Sequence, residues 1–311
     1  MNTIITQRIY GKNAKKATQE ATERIKELES KMTINSPGGE VNDLNAQAGK
    51  GFVSLTQDTV FVLEKALYYS ELSGGAFDVT VGPLVKAWGI NTPNERIPSE
   101  NEIEELLTLV NYKDINIDRE NLQAKLERPG QIVDLGAIAK GYAGDEVIKI
   151  YKKYGIESAY VNLGGNVVVL GTKPDGTPWR IGIQDPRKPN GFYVAILTLV
   201  DKAVVTSGDY ERYFERDGKR YHHIIDPRTG SPSHSGLISA TIVSDSSIDA
   251  DALSTSVFIL GLDKGMELIE SLPGIEAVFI TENKEVYVTS GLTDYFSMAG
   301  ESRDYKYVEK R

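Results

Sequence analysis

The 311-residue sequence has no cysteine and only three histidines. The first absence excludes a disulfide framework, a thiol nucleophile and a thiolate-bound metal. The second leaves ordinary zinc chemistry short of ligands. A basic surplus is missing too: 35 Lys and Arg stand against 44 Asp and Glu, a formal charge of −9. No global field draws a polyphosphate chain, so nucleic acid is disfavoured as the main partner. No apolar run approaches the roughly 18 residues of a membrane helix. No signal-peptide pattern opens the chain, because Met1-Asn2-Thr3 leads straight into the strand-like Ile4–Tyr10. The chain is expected to be cytoplasmic, or to begin after a removed export segment. The Gly-x-x-x-x-Gly-Lys-Ser/Thr loop, a strand-linked Gly-x-Gly-x-x-Gly and the Gly-x-Ser-x-Gly elbow are all absent, so phosphate or nucleotide would have to be handled by another route.

What is present is globular in composition, with 40% hydrophobic and 25% charged residues. Ala14, Ala17, Ala21, Ile25, Leu28 and Met32 recur at helical spacing and predict an amphipathic helix over 13–32. A second helix is expected over 57–73, stopped by Gly74-Gly75. A third follows Ser99, whose capping box closes on Glu102. A fourth carries Ala143, Val147, Ile150 and Tyr154 and ends at Gly155. The second half is richer in β-branched, partly alternating runs, at 159–163, 167–170, 179–183, 193–200 and 237–243. Helices are expected over 251–260 and 264–272, and strands over 277–280 and 285–288. The fold class read from this is α+β, one intertwined unit with two lobes over 1–295, followed by an exposed C-terminal extension over 296–311.

Four clusters carry candidate chemistry. Gly74–Leu84 places glycines where backbone N–H groups can approach a ligand, although a tight helix-to-strand connection has the same spacing. Val133–Gly141 sets Asp134 and Lys140 around small residues at a helix start. That arrangement suits an anion, and suits equally an ordinary capping Asp with a solvated Lys. Arg220–Gly230 is the histidine-bearing stretch. His222, His223 and His234 fall within thirteen consecutive positions, where an acid, a base or a phosphate contact would be useful. Ile248–Thr255 puts Asp251 and Thr255 one helical turn apart, a carboxylate and a hydroxyl suited to a hard cation such as Mg²⁺. Acidic enrichment at a helix N-terminus produces the same pattern.

In this order the motifs resemble the ApbE family, the FAD:protein FMN transferases. The matching stretches are Gly75–Leu84, Val133–Ala143, Asn162–Asn166, Thr206–Tyr210, His223–Gly230 and Ala250–Thr255. The resemblance extends over roughly residues 1 to 295. It implies an α+β, T-fold-like, two-lobed architecture with interleaved helices and mostly antiparallel strands. It also implies a reaction in which Mg²⁺ helps split the pyrophosphate of FAD. FMN is attached through its phosphate to a threonine of an acceptor protein, and AMP leaves. The implied partners are flavoprotein subunits of membrane redox complexes, marked by an Asp-Gly-x-Thr-type sequence.

Carried over by position, the metal is expected on the Asp251 carboxylate, the Thr255 hydroxyl and the main-chain carbonyl of Ala137. FAD is expected against Ala76, Phe77 and Asp78, with Asp134 and Lys140 as further contacts. His223 and Asp251 are the candidate catalytic residues, His223 as the group that takes the threonine proton. Where the family often has a flavin-holding tyrosine, this chain has Asn35. The family's start also implies an exported, membrane-anchored lipoprotein. Two alternatives stay open on the residues alone: an Mg²⁺-dependent FAD pyrophosphatase giving FMN and AMP, and a flavin-binding protein without turnover.

Overall fold

In a computed structural model, residues 3–34, 37–300 and 303–309 are described. Position 35, singled out above, lies outside them. The chain divides into two compact units, each assembled from separated stretches. One comprises Lys26–Ala139 and Asp209–His234; the other comprises the N-terminal stretch through Ile25, Lys140–Gly208 and the stretch from Ser235 onward.

The second unit is built on an eight-stranded sheet. Its spatial order is Ile5–Tyr10, Ser158–Leu163, Asn166–Leu170, Ala203–Gly208, Leu237–Ser244, Glu276–Thr281, Glu285–Val288 and Lys306–Tyr307. Every pairing is antiparallel except the last. The central strand Leu237–Ser244 is buried at every position. A central strand covered on both faces has no exposed side to present, so apolar residues fall on both faces and even Ser239, Thr241 and Ser244 are buried. The helix Ser247–Leu260 packs on this strand and on Ala203–Gly208. That helix is buried almost all round, so its amphipathic period is weak. A three-stranded sheet of Trp179–Gln184, Tyr193–Leu199 and Phe296–Met298 shares a core with the large one, through Trp179, Ile181, Leu197, Val204, Ile280 and Val286.

In the first unit, Leu84, Trp88, Phe214 and Ile225 make a core on which Ile103, Leu106 and Tyr221 pack. Tyr221 stacks on Phe214 and on Trp88, with ring centroids 5.1 Å and 5.6 Å away. The hairpin Tyr213–Arg216/Lys219–His222 thereby sits on the short helix Gly82–Trp88. The expected helices are found at Ala14–Met32, Gln57–Leu72, Glu100–Leu107 and Ala139–Lys153. The Ser99 side chain accepts the Glu102 N–H, the contact its capping box predicts. Two short helices, Glu40–Ala46 and Gly82–Trp88, were not expected from the sequence. Each is a seven-residue element, too short for its period to show against its neighbours. Among the described residues no helix is long and apolar enough to cross a membrane.

The segment after Tyr295 is not an exposed extension. Phe296–Met298 pairs with Tyr193–Leu199, and Lys306–Tyr307 adds a parallel strand to Glu285–Val288. Phe296 and Tyr307 stack at 5.5 Å, and Tyr305 is only 8% exposed. Phe296, Met298, Tyr305 and Tyr307, spread over twelve positions, carry no readable period; the two sheets they join supply the pairing. The Tyr305 hydroxyl donates to Oδ1 of the buried Asp185 at 2.6 Å. Tyr305→Phe is expected to lower unfolding stability by about 1–2 kcal/mol in urea titration. An unchanged midpoint would place the tail outside the cooperative fold.

Candidate active site

Within the second unit the helices Ala139–Lys153 and Ser247–Leu260 meet through glycine. A Cβ on Gly141 would lie 2.4 Å from the Ser247 carbonyl oxygen and 2.7 Å from Asp251 Cβ. One on Gly144 would lie 2.7 Å from Ser247 Oγ. At this approach each helix satisfies first-turn N–H groups of the other, which have no partner inside their own helix. Asp251 Oδ2 accepts the Gly141 N–H at 2.8 Å. In return Asp145 accepts the Ser247 and Ile248 N–H groups at 2.7 and 2.9 Å. The Ser246 side chain, at the capping position, makes no such bond itself. Burial raises the Asp145 carboxyl above its ordinary range, against the lowering effect of those two N–H donors.

The Asp251 side chain is 4% exposed, and its charge is met by Lys140, whose Nζ is 3.2 Å from Oδ1 and 3.5 Å from Oδ2. One turn on, the Thr255 hydroxyl is 3.3 Å from Ser207 Oγ, which also lies 2.8 Å from Ser254 Oγ. Lys140, Asp251 and Thr255 therefore share one neighbourhood in the second unit. Among the described residues no group of three or more His, Asp or Glu side chains could hold a metal. The set at hand is one buried carboxylate with neighbouring hydroxyls. It fits a hard cation that keeps several of its waters, and Asp251 already faces a positive charge in the form of the ammonium.

The other expected residues lie in the first unit. Asp78 is 8% exposed and committed to its own loop. Oδ1 accepts from the Thr80 N–H at 2.8 Å and the Thr80 hydroxyl at 2.6 Å, and Oδ2 accepts the Tyr112 N–H at 2.9 Å. Burial raises its carboxyl above the ordinary range. Ala76 and Phe77 are buried, so their side chains shape the loop from below. The Asp134 N–H donates to Val79 O at 2.8 Å, while Asp134 Oδ1 accepts the Gly136 N–H at 2.9 Å, an Asx turn that leads into half-buried Ala137. Asp78 and Asp134 thus stand on two strands of chain tied together at Val79.

The two adjacent histidines do different things. His222 is 4% exposed; its Nε2–H donates to Ser233 O at 2.9 Å and its Nδ1 accepts the Ile224 N–H at 3.3 Å. The half-buried His223 has Nδ1 3.2 Å from Arg212 O. A carbonyl only accepts, so Nδ1 carries the hydrogen and Nε2 is the nitrogen that takes a proton. The following turn is braced by Asp226, which accepts from Arg228 N, Nε and Nη2 at 2.9, 2.8 and 2.7 Å. Asp145 and Gly144 carried no expectation from the sequence, and Gly141 appeared only as the end of the Val133–Gly141 cluster. The spacing of Gly141, Gly144 and Asp145 was the available sign, but their partner helix lies about a hundred residues away.

Gly141→Ala is expected to cost roughly 1–3 kcal/mol in urea unfolding, because a backbone carbonyl rather than a flexible side chain blocks the new methyl. For His222, burial holds the ring below its ordinary value of 6.5. A base whose pKa falls on folding leaves stability intact above the unfolded value. Stability is then lost as the pH drops, because the unfolded chain takes up the proton first. Wild-type stability should fall between pH 6.5 and 5 by up to about 1.4 kcal/mol per pH unit more than that of His222→Gln. Parallel slopes for the two proteins would refute this.

The chain can be set beside known proteins on this basis. The ApbE family model matches residues 1–279. The FAD:protein FMN transferase of Treponema pallidum is 35% identical, with 94% of this chain and 86% of that protein aligned. The one from Klebsiella pneumoniae is 37% identical over 86% of this chain and 82% of that protein. The crystal structure of the ApbE protein from Thermotoga maritima superposes with a TM-score of 0.86 at 34% identity, covering 93% of this chain and 95% of that one. The flavin transferase ApbE from Vibrio cholerae gives 0.83 at 29%, covering 95% and 96%. With its α+β architecture, its mostly antiparallel sheet and its likeness to these proteins over most of its length, the chain belongs to the ApbE family.

Proposed function

We propose that this enzyme transfers the FMN half of FAD, through its phosphate, onto a threonine hydroxyl of an acceptor flavoprotein, with release of AMP. Family membership supports the flavin transfer, and the buried Asp251 carboxylate facing a cation supports the phosphate chemistry. The acceptors are subunits of membrane redox complexes bearing an Asp-Gly-x-Thr-type sequence. An extracytoplasmic, lipid-anchored setting belongs to the same reading.

In this reaction the threonine oxygen forms a bond to the FMN phosphorus as the bond from that phosphorus to the bridging oxygen breaks. AMP departs with that oxygen, and the threonine proton goes to Nε2 of His223. Phosphoryl transfer of this kind needs alignment and charge neutralisation more than covalent help. Asp251 and Thr255 would hold Mg²⁺, which when bound would neutralise phosphate charge and stabilise the leaving AMP. Lys140 adds a donor for a phosphate oxygen. FAD would lie against the loop of Ala76, Phe77 and Asp78, with Asp134 beside it, as the resemblance implies; the Ala76 and Phe77 N–H groups are already donated to Ser73 O and Ser73 Oγ. Arg212 O orients the His223 ring and sets its tautomer.

Incubation with FAD and Mg²⁺, with and without a threonine-containing acceptor peptide, tests this directly. The expected result is AMP release together with an FMN mass on the peptide. His223→Ala should slow transfer by about 10²–10⁴-fold. AMP released with no gain in peptide mass would make the enzyme a pyrophosphatase. No AMP with any divalent cation would reduce it to a flavin-binding protein.

A further inference from the structure

Lys140 and Asp251 form a pair whose geometry bears on how a cation enters. The Asp251 side chain is 4% exposed and that of Lys140 is 22% exposed. The ammonium sits across both carboxylate oxygens, at 3.2 and 3.5 Å, while the Gly141 N–H holds Oδ2 at 2.8 Å from the other side. The backbone bond cannot move without parting two helices seated on glycine. The lysine is different: it reaches the carboxylate from the first turn of its helix on a flexible four-carbon stem. Of the two groups that stabilise Asp251, one is fixed and the other can leave.

We propose that Lys140 is the resident counter-cation of Asp251, and that its ammonium must leave this carboxylate for a divalent cation to bind there. This rests on Asp251 being the metal ligand assigned under the proposed function. A divalent cation coordinated at about 2.1 Å from a carboxylate oxygen and an ammonium on the same carboxylate repel each other in a site with little water to screen them. One replaces the other. In the metal-free protein Lys140 prevents a buried carboxylate from standing uncompensated, the costly state that removal of one partner creates. In the loaded protein the freed ammonium is a donor for the phosphates of the nucleotide. Metal binding and the arming of Lys140 are then one event, and by linkage a bound phosphate that holds Lys140 away tightens the metal.

The test is Mn²⁺ binding to the whole protein without nucleotide, followed by electron paramagnetic resonance of free Mn²⁺, alongside melting temperatures with and without metal. Lys140→Met is expected to bind Mn²⁺ at least tenfold more tightly than wild type. Its metal-free form should melt lower, and saturating Mn²⁺ should close that gap. Lys140→Arg, which keeps the charge and pairs at two points, should bind no more tightly than wild type. Should Lys140→Met fail to fold without metal, Lys140→Gln carries the same expectation with a hydrogen bond in place of the ion pair. Asp251→Asn should abolish binding in every background. Equal or weaker Mn²⁺ affinity in Lys140→Met, with Asp251→Asn still abolishing it, overturns the displacement and leaves Asp251 a metal ligand. Absence of binding in wild type and in the Lys140 variants alike overturns both readings.

Discussion

In the second unit one buried carboxylate ties together the two helices that meet through glycine. Asp251 lies where two helices approach closely enough that Gly141 admits no methyl, and it caps the first turn of the partner helix through the Gly141 N–H. Asp145 returns the bond to Ser247 and Ile248. This exchange satisfies N–H groups that neither helix can satisfy alone, at a largely buried contact where an unpaired donor is expensive. The position of Thr255, one turn further on, and of the Ser207 and Ser254 hydroxyls beside it follows from that anchoring.

The first unit uses carboxylates in a different manner. Asp78 and Asp226 are both buried, and both spend their oxygens on the loops that carry them. Asp78 spans Thr80 and Tyr112, and Asp226 clamps Arg228. Their product is backbone shape. Loops outside helix and strand ladders need other acceptors for their N–H groups, and an internal carboxylate supplies them. The histidines divide in the same way. His222 is enclosed and ties its turn to Ser233, while His223 is oriented by a carbonyl that decides which nitrogen remains basic.

Particular residues show how far the sequence could be read. The Ser99–Glu102 cap, the apolar stripe Ala17, Ala21, Ile25, Leu28 and Met32, and the run Leu237–Val243 are local patterns, and each became the element it predicted. The Gly82–Trp88 helix was hidden inside a glycine-rich motif that reads as a turn, because Pro83 at its start and Gly89 at its end leave too few residues for a period. The C-terminal strands were missed because an edge strand of two or three residues takes its stability from the sheet it joins.

The sequence by itself determined the α+β class, most of the helices and strands, and the motif order that marks the ApbE family, since these depend on neighbours within a few residues. It also put Asp251 and Thr255 on one helical face. Only the tertiary structure decided that Lys140 pairs with Asp251, that Asp145 caps the opposite helix and that the Asp78 carboxylate is occupied by its own loop. Each of those pairings spans tens of residues or more than a hundred, apart from the Thr80 contacts of Asp78, and depends on which surfaces burial brings together. Nothing in the local pattern of either partner encodes that.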